Sequence, residues 1–109
     1  MGQEIELRRV YVCEADLKEG EMRGLKVDGQ WLLIVHYGER YYALDASCAH
    51  SGYPLFKGQM DSDGVITCPL HYAKYQCQTG AIVSDPPLSS DQPVFKIKVE
   101  EGKVFWIKD

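Results

Sequence analysis

Two short clusters, Cys48-Ala49-His50 and Cys68-Pro69-Leu70-His71, constrain what this chain can fold into more than any other feature. Each holds one thiol and one imidazole, and 17 residues separate His50 from Cys68. A strand sends alternate side chains to opposite faces, whereas a curled loop can aim both groups of a pair at one small object. Two such loops side by side supply two sulfur and two nitrogen ligands. That set suits zinc, or a two-iron cluster in which histidines replace cysteines on one iron.

The rest of the 109 residues must therefore be a scaffold that holds two loops together, and its pattern is almost wholly β. Residues 5–12 alternate loosely and read as a first strand. Residues 15–20 could make one helical turn ended by Gly20. A strand over 22–27 meets the tight-turn dipeptide Asp28-Gly29 and then the apolar run 31–35. Gly38-Glu39 turns the chain into 41–44, which completes an antiparallel meander. The regular pattern lapses over about 46–60, resumes as a short strand at 65–67, and lapses again over about 68–80. Residues 81–83 look extended, and the prolines in 84–90 exclude a central strand there. A closing hairpin is expected from 94–99 and 104–107, with its turn near Glu101-Gly102. Both ligand pairs lie between strands.

The totals bound the function. One domain over 1–109 is expected, with a core of modest size. A net charge of -4 gives nucleic-acid binding no electrostatic support. It suits a carrier that docks on basic partners. The polar, acidic opening Met1 to Glu6 is unlike a secretory signal, and the 31–35 run is far too short to cross a bilayer. The expected location is the cytoplasm, away from any membrane, where thiols stay reduced and serve metals more often than disulfides.

The four candidate ligands resemble the Rieske motif, C-x-H followed by C-x2-H. The similarity runs along nearly the whole chain. Gly52, Pro54 and Leu55 stand where that family's first loop has a turn and an apolar cover, and Pro69 follows the third ligand. Ser84-Asp85-Pro86-Pro87 looks like the family's proline loop. The resemblance implies an antiparallel β-sandwich, all-β, with a small subdomain of two loops that bind one [2Fe–2S] cluster. It implies Cys48 and Cys68 on the buried iron and His50 and His71 on the outer iron. Two ferric ions, two sulfides and two thiolates sum to zero charge, so such a centre accepts an electron more readily than a four-thiolate one.

Departures from the family pattern sharpen the expectation. Tyr53 and Leu70 occupy the places of two cysteines that form a bridge in respiratory members. Ala73 replaces a serine that hydrogen-bonds a sulfide in high-potential members, while Tyr75 stands where those members have a tyrosine on a cysteine sulfur. A potential in the lower half of the Rieske range follows. Tyr72 stands where many members have glycine, which strains the backbone if φ is positive there.

The resemblance thus implies a soluble ferredoxin: an electron carrier, not an enzyme in itself. It would take one electron from an NAD(P)H-dependent flavoprotein reductase and pass it to a terminal oxygenase, often one acting on aromatic rings. Two readings stay open beside it, a small subunit of an NAD(P)H nitrite reductase and a zinc-stabilised interaction module. Cys13 and Cys77 fall outside the ligand pattern and read as small buried hydrophobes, and His36 as a structural histidine. Trp31, Phe95, Phe105 and Trp106 read as core or strand-face aromatics. Tyr53, Pro54, Leu55, Leu70 and Tyr72 surround the ligands, as packing over the cluster or as an apolar docking rim.

Overall fold

The computed structural model describes residues 8–48, 52–70, 72–83 and 91–108. Strand β1 (Arg8–Glu14) leads through a loop into a meander of β2 (Met22–Val27), β3 (Gln30–Tyr37) and β4 (Arg40–Asp45). A smaller meander follows, β5 (Gln59–Met60), β6 (Val65–Thr67) and β7 (Lys74–Gln76). The chain returns through β8 (Val94–Phe95), β9 (Ile97–Glu100) and β10 (Lys103–Lys108). Three antiparallel sheets result, in the orders β1-β10-β9, β2-β3-β4-β8 and β5-β6-β7. Among the described residues the one helical element is a 3₁₀ turn, Leu55–Lys57. The expected all-β sandwich with an appended small subdomain is the architecture found.

Strand β3 shows why the run at 31–35 is continuously apolar instead of alternating. Successive side chains of a strand face opposite ways, and here both faces are covered. Leu32 and Ile34 enter a core shared with Val12, Leu17, Val27, Val104 and Trp106, at the β1-β10-β9 sheet. Leu33 and Val35 enter a second core with Leu44, Leu55, Ile66 and Tyr75, at the small sheet. All four β3 residues have no solvent exposure. The central sheet thus carries a base on one face and the two expected ligand loops on the other.

Three hairpins turn where dipeptides signalled them. Asp28-Gly29, Gly38-Glu39 and Glu101-Gly102 all have positive φ at both central residues, the turn whose twist matches that of the strands. Elsewhere the structure departs from expectation. The strand expected over 94–99 breaks at Lys96, because β8 pairs with β4 and β9 with β10 in a different sheet. Residues 15–20 form no helical turn. The Leu17 amide donates to the Tyr41 hydroxyl at 3.0 Å, and the Leu17 carbonyl accepts from the His36 ring at 2.8 Å, so side chains use the backbone groups a helix would need. Of 81–83 only Ile82 pairs, in a single bridge to Tyr75. Residues 5–7 of the expected first strand, the proline loop at 84–90, His50 and His71 lie outside the described residues.

Candidate metal centre

The two loops that carry the cysteines are one structural unit used twice, 20 residues apart. Each cysteine follows a paired residue, Ser47 bridged to Pro54 and Thr67 to Lys74. The Cys48 amide donates to the Tyr53 carbonyl at 2.8 Å, and the Cys68 amide to the Ala73 carbonyl at 2.8 Å. The Cys48 carbonyl accepts from the Gly52 amide at 2.7 Å, and the Cys68 carbonyl from the Tyr72 amide at 2.9 Å. Closing six residues this tightly needs a left-handed residue at the fifth place. Gly52 has φ 75° and Tyr72 has φ 64°. Two residues beyond each closure, Leu55 and Tyr75 are both fully buried. The spacing differs only inside the loops, where histidine is third in one and fourth in the other.

This repetition delivers both thiols into one apolar core. Cys48 is 3% exposed and Cys68 0%, and both pack with Leu55, Ile66, Ala73, Tyr75 and Cys77. The Tyr75 hydroxyl lies 3.4 Å from Cys48 Sγ, a sulfur hydrogen bond the sequence anticipated. Ala73 is buried and offers no hydroxyl. Leu55 belongs to the core, whereas Leu70 and Tyr72 are 47% and 69% exposed and Pro69 is exposed beside them. Tyr53 is half-buried, with the Lys57 ammonium 6.0 Å above its ring. The rim residues therefore divide: Leu55 packs, while Leu70 and Tyr72 face solvent.

Side chains outside the pattern behave as structural groups. His36 stacks on Tyr41 with ring centroids 4.5 Å apart. Burial pushes the Cys77 thiol up to about 11, far from a ready thiolate. Burial also raises Cys13, although Arg23, ion-paired with Asp16 at 2.8 Å, works against it. Trp106 is buried against Phe95, while Trp31 lies on a strand face and is 46% exposed. One residue that sequence reasoning passed over is Gln92. It is 2% exposed, and its amide donates to the Asp45 carbonyl at 2.7 Å and the Ser47 carbonyl at 2.6 Å. A glutamine between Asp91 and Pro93 carries no signal by which to find it.

Among the described residues no three histidine, cysteine or acidic side chains converge as a metal site, the two expected imidazoles lying outside them. The donor set nevertheless fits a mixed sulfur and nitrogen centre. Two buried thiols share one core from matched loops, and each loop carries its histidine within the next three residues. Nor is any helix among the described residues long and apolar enough to cross a membrane.

Comparison with known proteins agrees. The Rieske [2Fe–2S] domain profile matches residues 8–103. The chain is 31% identical over 104 residues to the 3-phenylpropionate/cinnamic acid dioxygenase ferredoxin subunit of Shigella flexneri serotype 5b (strain 8401), covering 91% of this chain and 92% of that one. A chain of the complex of reduced oxygenase and oxidized ferredoxin in carbazole 1,9a-dioxygenase superposes with TM-score 0.82 at 31% identity, covering 93% and 94%. The ferredoxin of carbazole 1,9a-dioxygenase from Nocardioides aromaticivorans IC177 superposes with TM-score 0.81 at 25% identity, covering 94% and 98%.

Proposed function

The chain belongs to the Rieske [2Fe–2S] domain family, and from that premise we propose that Cys48, His50, Cys68 and His71 hold the cluster. The family decides between the iron–sulfur and zinc readings in favour of iron–sulfur. The protein is an electron carrier of the dioxygenase-ferredoxin kind and not itself a catalyst. Its electron acceptor is a terminal oxygenase, and its donor in this reading is an NAD(P)H-dependent flavoprotein reductase in the cytoplasm. Residues 1–109 act as one domain in this role.

The observation that carries the reading is the matched pair of loops, which sinks Cys48 and Cys68 into one core beneath exposed Leu70 and Tyr72. When bound, the cluster supplies reversible one-electron exchange. The chain's own residues set the terms. Burial of both sulfurs keeps water from them, and the Tyr75 hydroxyl donates to the Cys48 sulfur, which favours the more negative, reduced state. With Ala73 giving no second donor, the midpoint belongs in the lower half of the Rieske range. Leu70 and Tyr72 flank His71 in sequence and offer an apolar contact through which a partner can approach.

The test is an anaerobic reconstitution with purified reductase and oxygenase components of an aromatic-ring dioxygenase system. NADH-driven product formation should require this protein, saturate with its concentration, and vanish with Cys68→Ser. Undiminished product when the protein is omitted would overturn the role.

A further inference from the structure

The second loop leaves β6 with Thr67 paired on both sides, to Gln59 of β5 and Lys74 of β7. Gly58 lies so close there that a Cβ on it would sit 2.1 Å from the Thr67 carbonyl oxygen. The first loop is built alike on one side only. Ser47 bridges Pro54, through the bonds Leu55 N–H to Ala46 O and Cys48 N–H to Tyr53 O. On its other side, among the described residues, no strand stands where β5 stands for Thr67. Gln92 stands there instead.

We propose that Gln92 is the positioning residue of the first ligand loop, its side-chain amide taking the part that a strand plays in the second. Both amide hydrogens are engaged, one on the Asp45 carbonyl and one on the Ser47 carbonyl. Ser47 C=O and Cys48 N–H belong to one peptide unit. A donor on that oxygen fixes the plane of the peptide whose N–H closes the loop onto Tyr53. Gln92 is itself held. Its backbone N–H donates to the Gly80 carbonyl at 2.7 Å, and the Asp45 backbone N–H donates to the Pro93 carbonyl at 2.9 Å. The segment following the proline loop is thereby tied to the stem of the first loop and to the exit from the second. A buried amide bonded to two carbonyls is costly to lose, because two part-buried acceptors give up their donor together.

This assignment rests on the proposed ligand role of Cys48 and His50, and the experiment separates the two. Gln92→Met keeps the volume and removes both donors. Hydrogen–deuterium exchange of the iron-loaded protein, read by mass spectrometry, compares peptides over 46–53 and 66–73. Exchange in the first should rise about tenfold or more over wild type, with the second changed less than about twofold. Iron release to a chelator should quicken by a similar factor. General destabilisation would raise both peptides together, and that result, or no change in either, overturns the proposal. If Gln92→Met does not fold, Gln92→Glu gives the same reading within one protein. Its protonated carboxyl donates one bond and its ionised form none, so the ratio of first-loop to second-loop exchange should climb as the carboxyl ionises. A flat ratio overturns the proposal. Absence of iron and sulfide from wild-type protein would instead remove the ligand reading and leave the exchange comparison standing.

Discussion

Position 72 offers a prediction that separates backbone from side chain. Tyr72 has φ 64°, in the left-handed region, and its ring is 69% exposed. A Cβ there costs about 1–2 kcal/mol against the backbone oxygen. Glycine avoids that cost but gives up about 0.5–1 kcal/mol of additional chain entropy on folding. Substituting both alanine and glycine at 72 removes the ring from each variant, so their difference reports the backbone alone. Tyr72→Gly should then be more stable than Tyr72→Ala by about 0.5–1 kcal/mol, an inversion of the usual order in strands and helices. Gly52 is the matched position, with φ 75° and open space where a Cβ would go. Gly52→Ala should lose about the same amount. For a domain of this size the differences correspond to about 2–8 °C in midpoint. Thermal scans monitored by circular dichroism, run at one rate because loss of a metal centre makes unfolding irreversible, give the comparison. If alanine equals or exceeds glycine at 72, the strain attributed to the second loop is wrong.

Three further outcomes follow from the geometry. Tyr75→Phe removes the hydroxyl 3.4 Å from Cys48 Sγ, so a redox titration should show a midpoint lowered by about 20–60 mV, the equivalent of one modest hydrogen bond, with the cluster retained. Gly80→Ala meets the Gln92 carbonyl at 2.0 Å while φ is 75°, so both clash and strain act on backbone that cannot yield; thermal scans should show a loss of about 2 kcal/mol or more. The Cys77 thiol, raised to about 11 by burial, stays protonated in the folded state while the unfolded thiol ionises from near 9. Its contribution is therefore complete below about 9 and is lost as pH rises through about 11. Cys77→Ala should flatten that part of the stability profile.

Much of the fold was legible because tight dipeptides and strand periodicity are local signals. Asp28-Gly29 and Glu101-Gly102 turn as their residue types demand, and the apolar run at 31–35 lies within the strand Gln30–Tyr37. What escaped is decided by partners distant in sequence. Nothing local to Lys96 says that Phe95 belongs with Ala43 while Ile97 belongs with Trp106. The strands Gln59–Met60 and Lys74–Gln76 are too short for any period, and only Val65–Thr67 between them organises their pairing. Residues 15–20 look helical by composition, yet Tyr41 and His36 take over Leu17. At the site, residue type and spacing named the two thiols that share a core, and the departure at Tyr72 pointed to its left-handed backbone. The twenty-residue repeat stayed hidden because the histidines break the offset, and Gln92 because its role exists only after the chain returns to Ser47.

The central claim is that two thiolates and two imidazoles of this chain hold one pair of irons. Electron–nuclear double resonance on anaerobically reduced protein, grown with ¹⁵N-histidine, tests it most directly. Two strongly coupled nitrogens in the native protein, with the pair lost when His50 and His71 are both replaced by alanine, is the predicted result. A reduced iron–sulfur signal with no strongly coupled nitrogen, or one unchanged by the double substitution, contradicts it.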